Sequence, residues 1–403
     1  MEIDVIEKIK EKALEIHDWM IHIRRRLHQH PETAFNEVET AKFICLKLKE
    51  LGIPFKNHVA STGIIGLIGE EASDSAPCVA LRADMDALPI QEETQLPFSS
   101  KRRGFMHACG HDGHVAMLLG AARLLLHVNA IRFGHIRLLF QPAEEGQGGA
   151  QAMIRDGCLE GIGMIFGGHI DCHFPVGQIA VQEGLICAYA DGFEMEITGK
   201  GGHAARPHEA NDAIVAASHF VILVQSLLTR RIDPQFPSVI SIGQIQAGTA
   251  PNAIAAKAIL KGTVRTTNEA VRQEVFKELK RFSMGIETTF NVNCRLKFND
   301  SYPPVVNSRE ATEVAKAAAE EVVGPESVIP YPNPSLGGED FSFYLQHVPG
   351  CFVRFGAAHQ ESDNPPAHSS RFDFNEDVLV TGACFFAHCA LRALEHLKQN
   401  RHD

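Results

Sequence analysis

The chain has 403 residues, 45% of them apolar and 22% charged, with 38 basic against 49 acidic side chains and a net charge of −11 when histidine is neutral. That length and apolar content build two or three domains with sizeable cores, and exclude a disordered or disulfide-dependent chain. The acidic balance disfavours nucleic acid or an anionic membrane as the main partner, because both select a positive field.

The N-terminus, Met1-Glu2-Ile3-Asp4, lacks the basic and apolar regions of a secretory signal. The apolar stretch from His114 to Val128 is interrupted by Arg123 and is too short to cross a bilayer. A cytoplasmic location is therefore expected. The ten cysteines are scattered without a Cys-x-x-Cys pair, which reads as mostly buried thiols.

Ile6, Ile9, Leu14, Ile16, Ile23 and Leu27 give residues 3–29 a helical spacing, and a second amphipathic helix covers 37–51 before Gly52-Ile53-Pro54. Strands are expected at 63–68 and 78–83, a helix at 112–128, a strand at 135–140, a helix at 147–156 and a strand at 163–168. Strands alternating with helices predict an α/β layer with a mixed, largely parallel sheet flanked by helices. Near residue 190 the pattern changes. A strand at 193–198, a helix at 209–229, strands at 238–246 and 254–266, a helix at 268–287 and a strand at 291–298 spell β-α-β-β-α-β, the order of a ferredoxin-like split βαβ sandwich. After residue 300 a strand at 351–355 and a helix at 375–398 return to the first flavour. The expected architecture is one α/β domain of residues 1–188 and 300–403, interrupted by an α+β domain of residues 189–299.

In α/β sheets ligands collect beyond the carboxyl ends of strands, and polar clusters stand there. The densest is His107-Ala-Cys109-Gly-His111-Asp112-Gly-His114. In an extended segment alternate residues share a side, so Cys109 and His111 can face one ion; the alternative is a polar helix cap. Glu144 and Glu145 follow an apolar strand and precede a Gly-rich turn. Adjacent carboxylates are expected to face apart, one ligating and one handling a proton, against the alternative of an acidic helix start favoured by the helix dipole. His169 is expected to end its strand, and His368 lies in a loop too polar to be core. Asp84 and Asp86 end another apolar strand, either as turn formers or as buried carboxylates needing charged partners. Cys, His and carboxylate together suit zinc or another borderline transition metal rather than an all-oxygen ion. A spare glutamate beside a metal-bound water points to hydrolysis.

Together these stretches resemble the aminoacylase/carboxypeptidase family of dinuclear metallohydrolases, and within it the amidohydrolase branch of hippurate hydrolase and auxin–amino acid conjugate hydrolases. The resemblance runs nearly end to end, through Arg25–Glu32, Arg82–Pro89, His107–His114, Phe140–Gly146, Gly199–His208, Ala250–Asn252, Gly338–Phe341 and Ala367–Ser369. It implies one or two divalent transition-metal ions, manganese or zinc, with cobalt or nickel as alternatives, on Cys109, His111, Glu145, His169 and His368. It implies that Glu144 is general base and proton shuttle, and that Asp86 orients the site. The wider family has a ligating His where Asp84 stands, so Cys109 is the expected substitute in the ligand shell. The inserted domain resembles a lid and dimerisation domain whose His203 steadies the oxyanion, usually in the partner subunit's site, with Asn252 and Arg265 as candidates for a substrate carboxylate. The implied activity is deacylation of N-acyl amino acids by a homodimer. Other readings are a di- or tripeptide peptidase on the same site, a non-catalytic small-molecule binding relative, and a thiol enzyme using Cys109.

Overall fold

The strand Cys78–Asp84 is buried along its whole length, as a near-continuous apolar run must be in a sheet covered on both faces. It lies at the middle of an eight-stranded sheet ordered Phe55–Val59, Gly63–Gly69, His135–Gln141, Cys78–Asp84, Met164–Pro175, Gly350–Ala358, Ile179–Ala180, Val328–Ile329. The central pairs, Cys78–Asp84 with its two neighbours and Met164–Pro175 with Gly350–Ala358, run parallel. Antiparallel pairs flank them. The sheet is mixed and flanked by helices.

The computed structural model describes residues 3–69, 76–299, 302–359 and 364–400. It divides into two compact units, Met1–Gly184 with Val306–Pro332 and Asp340–Asp403, and Leu185–Val305 with Asn333–Glu339. The short segment 333–339 thus goes with the smaller unit rather than with the residues around it in sequence.

In the larger unit the helices His111–Val128 and Val378–Gln399 share one core, with Val115, Leu118, Leu119, Phe385 and Phe386 all sealed from solvent. Each such side chain contributes roughly 1.5–3 kcal/mol on burial. The helical spacing of residues 3–29 is two helices, Ile3–Glu15 and His17–His28, because the chain turns at Ile16 (φ −97°, ψ 7°). A helix that apolar spacing alone did not reveal, Arg309–Val323, starts where the Ser308 hydroxyl accepts from the Ala311 N–H at 3.4 Å.

The smaller unit is an antiparallel sheet ordered Ser238–Ala247, Lys257–Thr266, Tyr189–Thr198, Asn293–Phe298, the strand order 2-3-1-4 of the split βαβ sandwich. Phe193, Met195 and Ile197 alternate inward and pack against Phe220 and Leu279 from its two helices. Those helices, Ala213–Arg230 and Glu269–Phe290, begin a few residues later or end later than apolar spacing implies. Their starts are set by side-chain caps, Asp212 accepting from Ile214 N–H at 2.8 Å and Asn268 from Ala270 N–H at 2.9 Å. Among the described residues two helices have the length and hydropathy of a membrane span, and neither is the stretch 114–128. Val378–Gln399 has 83% of that window buried in the larger unit's core, whereas Ala213–Arg230 has only 33%.

Candidate metal centre

The five expected ligands belong to four elements of the larger unit. Gly110, at φ 92°, turns the chain into helix His111–Val128, so Cys109 lies just before the capping glycine and His111 is the first helical residue. The two meet across this turn, not by alternation along a strand. His169 does not end its strand. Met164–Pro175 continues six residues past it, so His169 projects from within a central strand. Glu145 lies on the turn after His135–Gln141. His368 sits in a loop at φ 67°, a left-handed conformation that costs a residue with a side chain of order 1–3 kcal/mol. The His368 N–H donates to the Ala108 carbonyl at 2.7 Å, which ties that loop to the cysteine segment.

Donor atoms of Cys109, His111 and His169 lie within 4.8 Å of one another, as do those of Cys109, Glu145 and His368. Cys109 is common to both sets. His169 Nδ1–H donates to its neighbour's carbonyl, that of Ile170, at 2.6 Å, so Nε2 carries the lone pair and accepts from Cys109 Sγ at 3.3 Å. Burial holds His169 well below the usual histidine pKa and therefore neutral, the form a metal needs. His111 donates from Nδ1 to the Asp86 carbonyl at 2.9 Å, and its Nε2 is buried without a hydrogen-bond partner among the described residues. Burial opposes a charge on that ring, but Asp84, Cys109 and Asp86 together outweigh it and hold the pKa well above the usual histidine value; a cation at Nε2 would take the place of that proton. Burial, with Glu145 adding to it, pushes the Cys109 thiol up to about 12. A bound cation is what turns such a thiol into a thiolate. His368 Nε2 pairs with Glu145 Oε1 at 3.1 Å, which raises the His368 pKa. An orphaned buried imidazole nitrogen and a thiol–imidazole–carboxylate donor set fit a borderline divalent metal.

His114 is not available as a ligand. Its Nδ1–H donates to Asp84 Oδ1 at 2.6 Å and its Nε2 accepts from the Ile170 N–H at 3.0 Å, so both ring nitrogens are used. Asp84 also accepts from Arg82 at 2.6 Å. Burial disfavours its charge, but His111, Arg82 and His114 together hold it well below the usual carboxylate range. Asp84 is thus an anion held among three cationic or donating groups.

The two glutamates do not face apart. Carboxylate oxygens of Glu144 and Glu145 lie within 4.8 Å of each other and of His111. Strand alternation does not apply there, because Ala143 is left-handed at φ 55° and the chain has left the strand. Glu144 is buried, and its Oε1 accepts from the Asp340 N–H at 3.3 Å. Asp86 accepts from the backbone N–H groups of Glu144 and Glu145, each at 3.1 Å, so its carboxylate shapes the turn that carries both glutamates.

Sequence reasoning gave no role to Asp340, which accepts from Arg82 at 2.9 Å, Gln141 at 2.8 Å and Ala150 N–H at 2.9 Å, all buried. It also passed over Arg24, His28 and Asp112, where Asp112 Oδ2 accepts from Arg24 at 3.0 Å and pairs with His28 at 2.8 Å. The signal available was a buried-type Arg in an apolar strand and an Asp directly after a ligand.

His203, Asn252 and Arg265 belong to the smaller unit. His203 pairs with Ala253 in a short ladder, and the Asn252 carbonyl accepts from Ala204 N–H at 3.1 Å, so the first two are neighbours. His203 is exposed, and its Nδ1 accepts from Ala205 N–H at 3.0 Å, which leaves Nε2 as the N–H donor of the neutral ring. Arg265, on strand Lys257–Thr266, is half-buried, and its guanidinium approaches Gly338 so closely that a Cβ there would sit 3.3 Å from Nη1.

The sequence pattern of Peptidase family M20/M25/M40 matches residues 80–392. The chain belongs to that family. It is a metal-dependent amidohydrolase. It is 41% identical over 395 residues to thermostable carboxypeptidase 1 of Saccharolobus solfataricus, covering 96% of this chain and 99% of that one. It is 38% identical over 382 residues to N-acetyl-L-cysteine deacetylase of Bacillus subtilis, covering 95% and 90%. The fold matches the crystal structure of a Bacillus subtilis protein described as a dinuclear metal binding peptidase from the M20 family, with a TM-score of 0.79 and 37% identity over 94% of this chain and 99% of that one.

Proposed function

We propose that this M20 member hydrolyses the amide bond of N-acyl amino acids, releasing a carboxylic acid and the amino acid. The observation that carries the reading is the pair of donor sets joined by Cys109, with the buried carboxylate of Glu144 beside them. Cys109, His111 and His169 would hold one divalent ion, and Cys109, Glu145 and His368 a second, with manganese or zinc the first choices and cobalt or nickel the alternatives. Such a metal supplies Lewis acidity, polarising the acyl carbonyl and bringing the pKa of water down to about 7. Glu144 takes the proton as hydroxide adds to the carbonyl carbon, and delivers it to the nitrogen as the C–N bond breaks. The Asp340 N–H on Glu144 Oε1 steadies that carboxylate in both roles. His203 Nε2–H would donate to the oxyanion, and Asn252 and Arg265 would hold the substrate carboxylate.

The protein is read as a homodimer through the smaller unit. Helix Ala213–Arg230 exposes Ile214, Val215 and Ile222, and Ser238–Ala247 is an edge strand with Val239 and Ile245 exposed. A second copy would cover both the apolar face and the open edge.

A dipeptide or tripeptide substrate is the second reading, favoured by the likeness to a carboxypeptidase. The test is hydrolysis by metal-analysed holoenzyme of N-acyl amino acids and of dipeptides, with and without chelator, beside Glu144→Gln. We expect chelator to abolish activity, N-acyl amino acids to have the higher kcat/KM, and Glu144→Gln to lose at least about 100-fold in kcat with metal content kept. Higher kcat/KM on dipeptides overturns the substrate, and near-normal turnover by Glu144→Gln overturns the mechanism.

A further inference from the structure

The turn that carries Glu144 and Glu145 is built against its own preferences. Ala143 is buried and left-handed at φ 55°, which costs an alanine of order 1–3 kcal/mol. In that conformation three successive backbone N–H groups point at anions. Ala143 N–H donates to Glu37 Oε1 at 2.9 Å, Glu144 N–H to Asp86 Oδ1 at 3.1 Å and Glu145 N–H to Asp86 Oδ2 at 3.1 Å. Consecutive amides gathered this way form an anion-binding concavity, and here the protein fills it with two of its own carboxylates.

Glu37 comes from far away, at the N-cap position of helix Val38–Glu50. Its side chain makes no capping bond to that helix. Oε1 instead accepts from Phe35 N–H at 3.0 Å as well as from Ala143, and Oε2 accepts from the Thr62 hydroxyl at 2.7 Å. The side chain is sealed from solvent. A buried carboxylate that declines its own helix and reaches a strained turn has a use at that turn.

We propose that Glu37 is a positioning residue for the catalytic turn. Together with Asp86 it pins residues 143–145 and so sets the directions in which Glu144 and Glu145 leave the backbone. The inference rests on Glu144 being the general base. Glu37 touches no reacting atom and acts through Glu144.

The experiment measures kcat, KM, metal content and Tm of holoenzyme carrying Glu37→Ala, Glu37→Met or Glu37→Gln, each alone and combined with Glu144→Gln. Loss of the anchor should lower kcat of Glu37→Ala and Glu37→Met by about 10–100-fold, the cost of misplacing a catalytic group by around an ångström, with KM changed far less. Glu37→Gln should recover most of that loss, since its carbonyl accepts from both N–H groups and its amide donates to Thr62 Oγ1. On top of Glu144→Gln, the Ala and Met variants should cost less than about threefold more, because the group they aim is already disabled. Full additivity in the double variants overturns the proposal, as does a Glu37→Met enzyme within about threefold of wild type. Should Ala and Met fail to fold, Glu37→Gln decides alone: a kcat loss above about tenfold overturns it, because every hydrogen bond has been kept. Near-normal turnover by Glu144→Gln by itself would sink the general-base reading whatever Glu37 does, so the two failures are separable.

Discussion

The strand ends of the larger unit and the His203 segment of the smaller one arrange candidate site residues in opposite ways. At the strand ends Asp84 and Asp340 are buried and held from several sides, Asp84 by Arg82 and His114, and Asp340 by Arg82, Gln141 and Ala150. His203 is exposed and secured through one ring nitrogen. A metal cradle has to exist before the metal arrives, because buried charges without partners are too costly to keep. The oxyanion role proposed for His203 suits such a free side chain, because a donor to a developing charge needs freedom to arrive with it.

The sharpest way to break that contrast is Arg82→Met. Removing the guanidinium takes one shared cation away from two buried carboxylates, Asp84 and Asp340, which should cost about 3–5 kcal/mol of stability by denaturant unfolding. A change under about 1 kcal/mol would mean that these carboxylates are protonated or wet. His203→Ala should do the reverse, lowering kcat by about 10–100-fold, toward the range for an oxyanion donor, while Tm stays unchanged. A Tm shift without a rate effect would turn His203 into a structural residue.

The smallest effect sharpens the comparison from within the cradle. Burial, with the charge of Asp86 adding to it, raises the Glu37 carboxyl from its ordinary 4.5 to about 7. Below the unfolded pKa both states hold the proton. As pH climbs the unfolded chain ionises first, so this group's contribution to stability is lost up to pH about 7. Glu37→Gln lacks that loss and should be more stable than wild type at pH 8 by roughly 1–3 kcal/mol, with no gain at pH 4. An equal difference at both pH values would rule out Glu37 as its source.

Much of this was legible in the chain. The alternation at 193–198 and the order of elements after it pointed to the sandwich, and ligand-type residues after apolar strands pointed to side chains that the structure gathers into candidate metal-ligand clusters. What sequence missed was missed for physical reasons. Glu37 and Ala143 are 106 positions apart, and no periodicity relates them. The two glutamates converge because one alanine is left-handed, which its side chain does not announce. His169 reads as the last residue of its strand because Gly167-Gly168 looks like a strand's end, although in the structure a Cβ at either position would collide with Phe341 or Phe355 and the strand runs on to Pro175. The smaller unit's candidates came from family likeness alone, since exposed side chains carry no pattern of burial.

The amide of Ile170 has a consequence for inheritance. By giving its hydrogen to His114 Nε2, it agrees with Asp84 at Nδ1 on which nitrogen of that imidazole bears the proton, and one of the two votes is cast by main chain. Nineteen of the twenty residue types keep that hydrogen and only proline lacks it. Drift at position 170 can therefore alter shape and volume while the amide's part in setting the His114 tautomer is handed down unchanged.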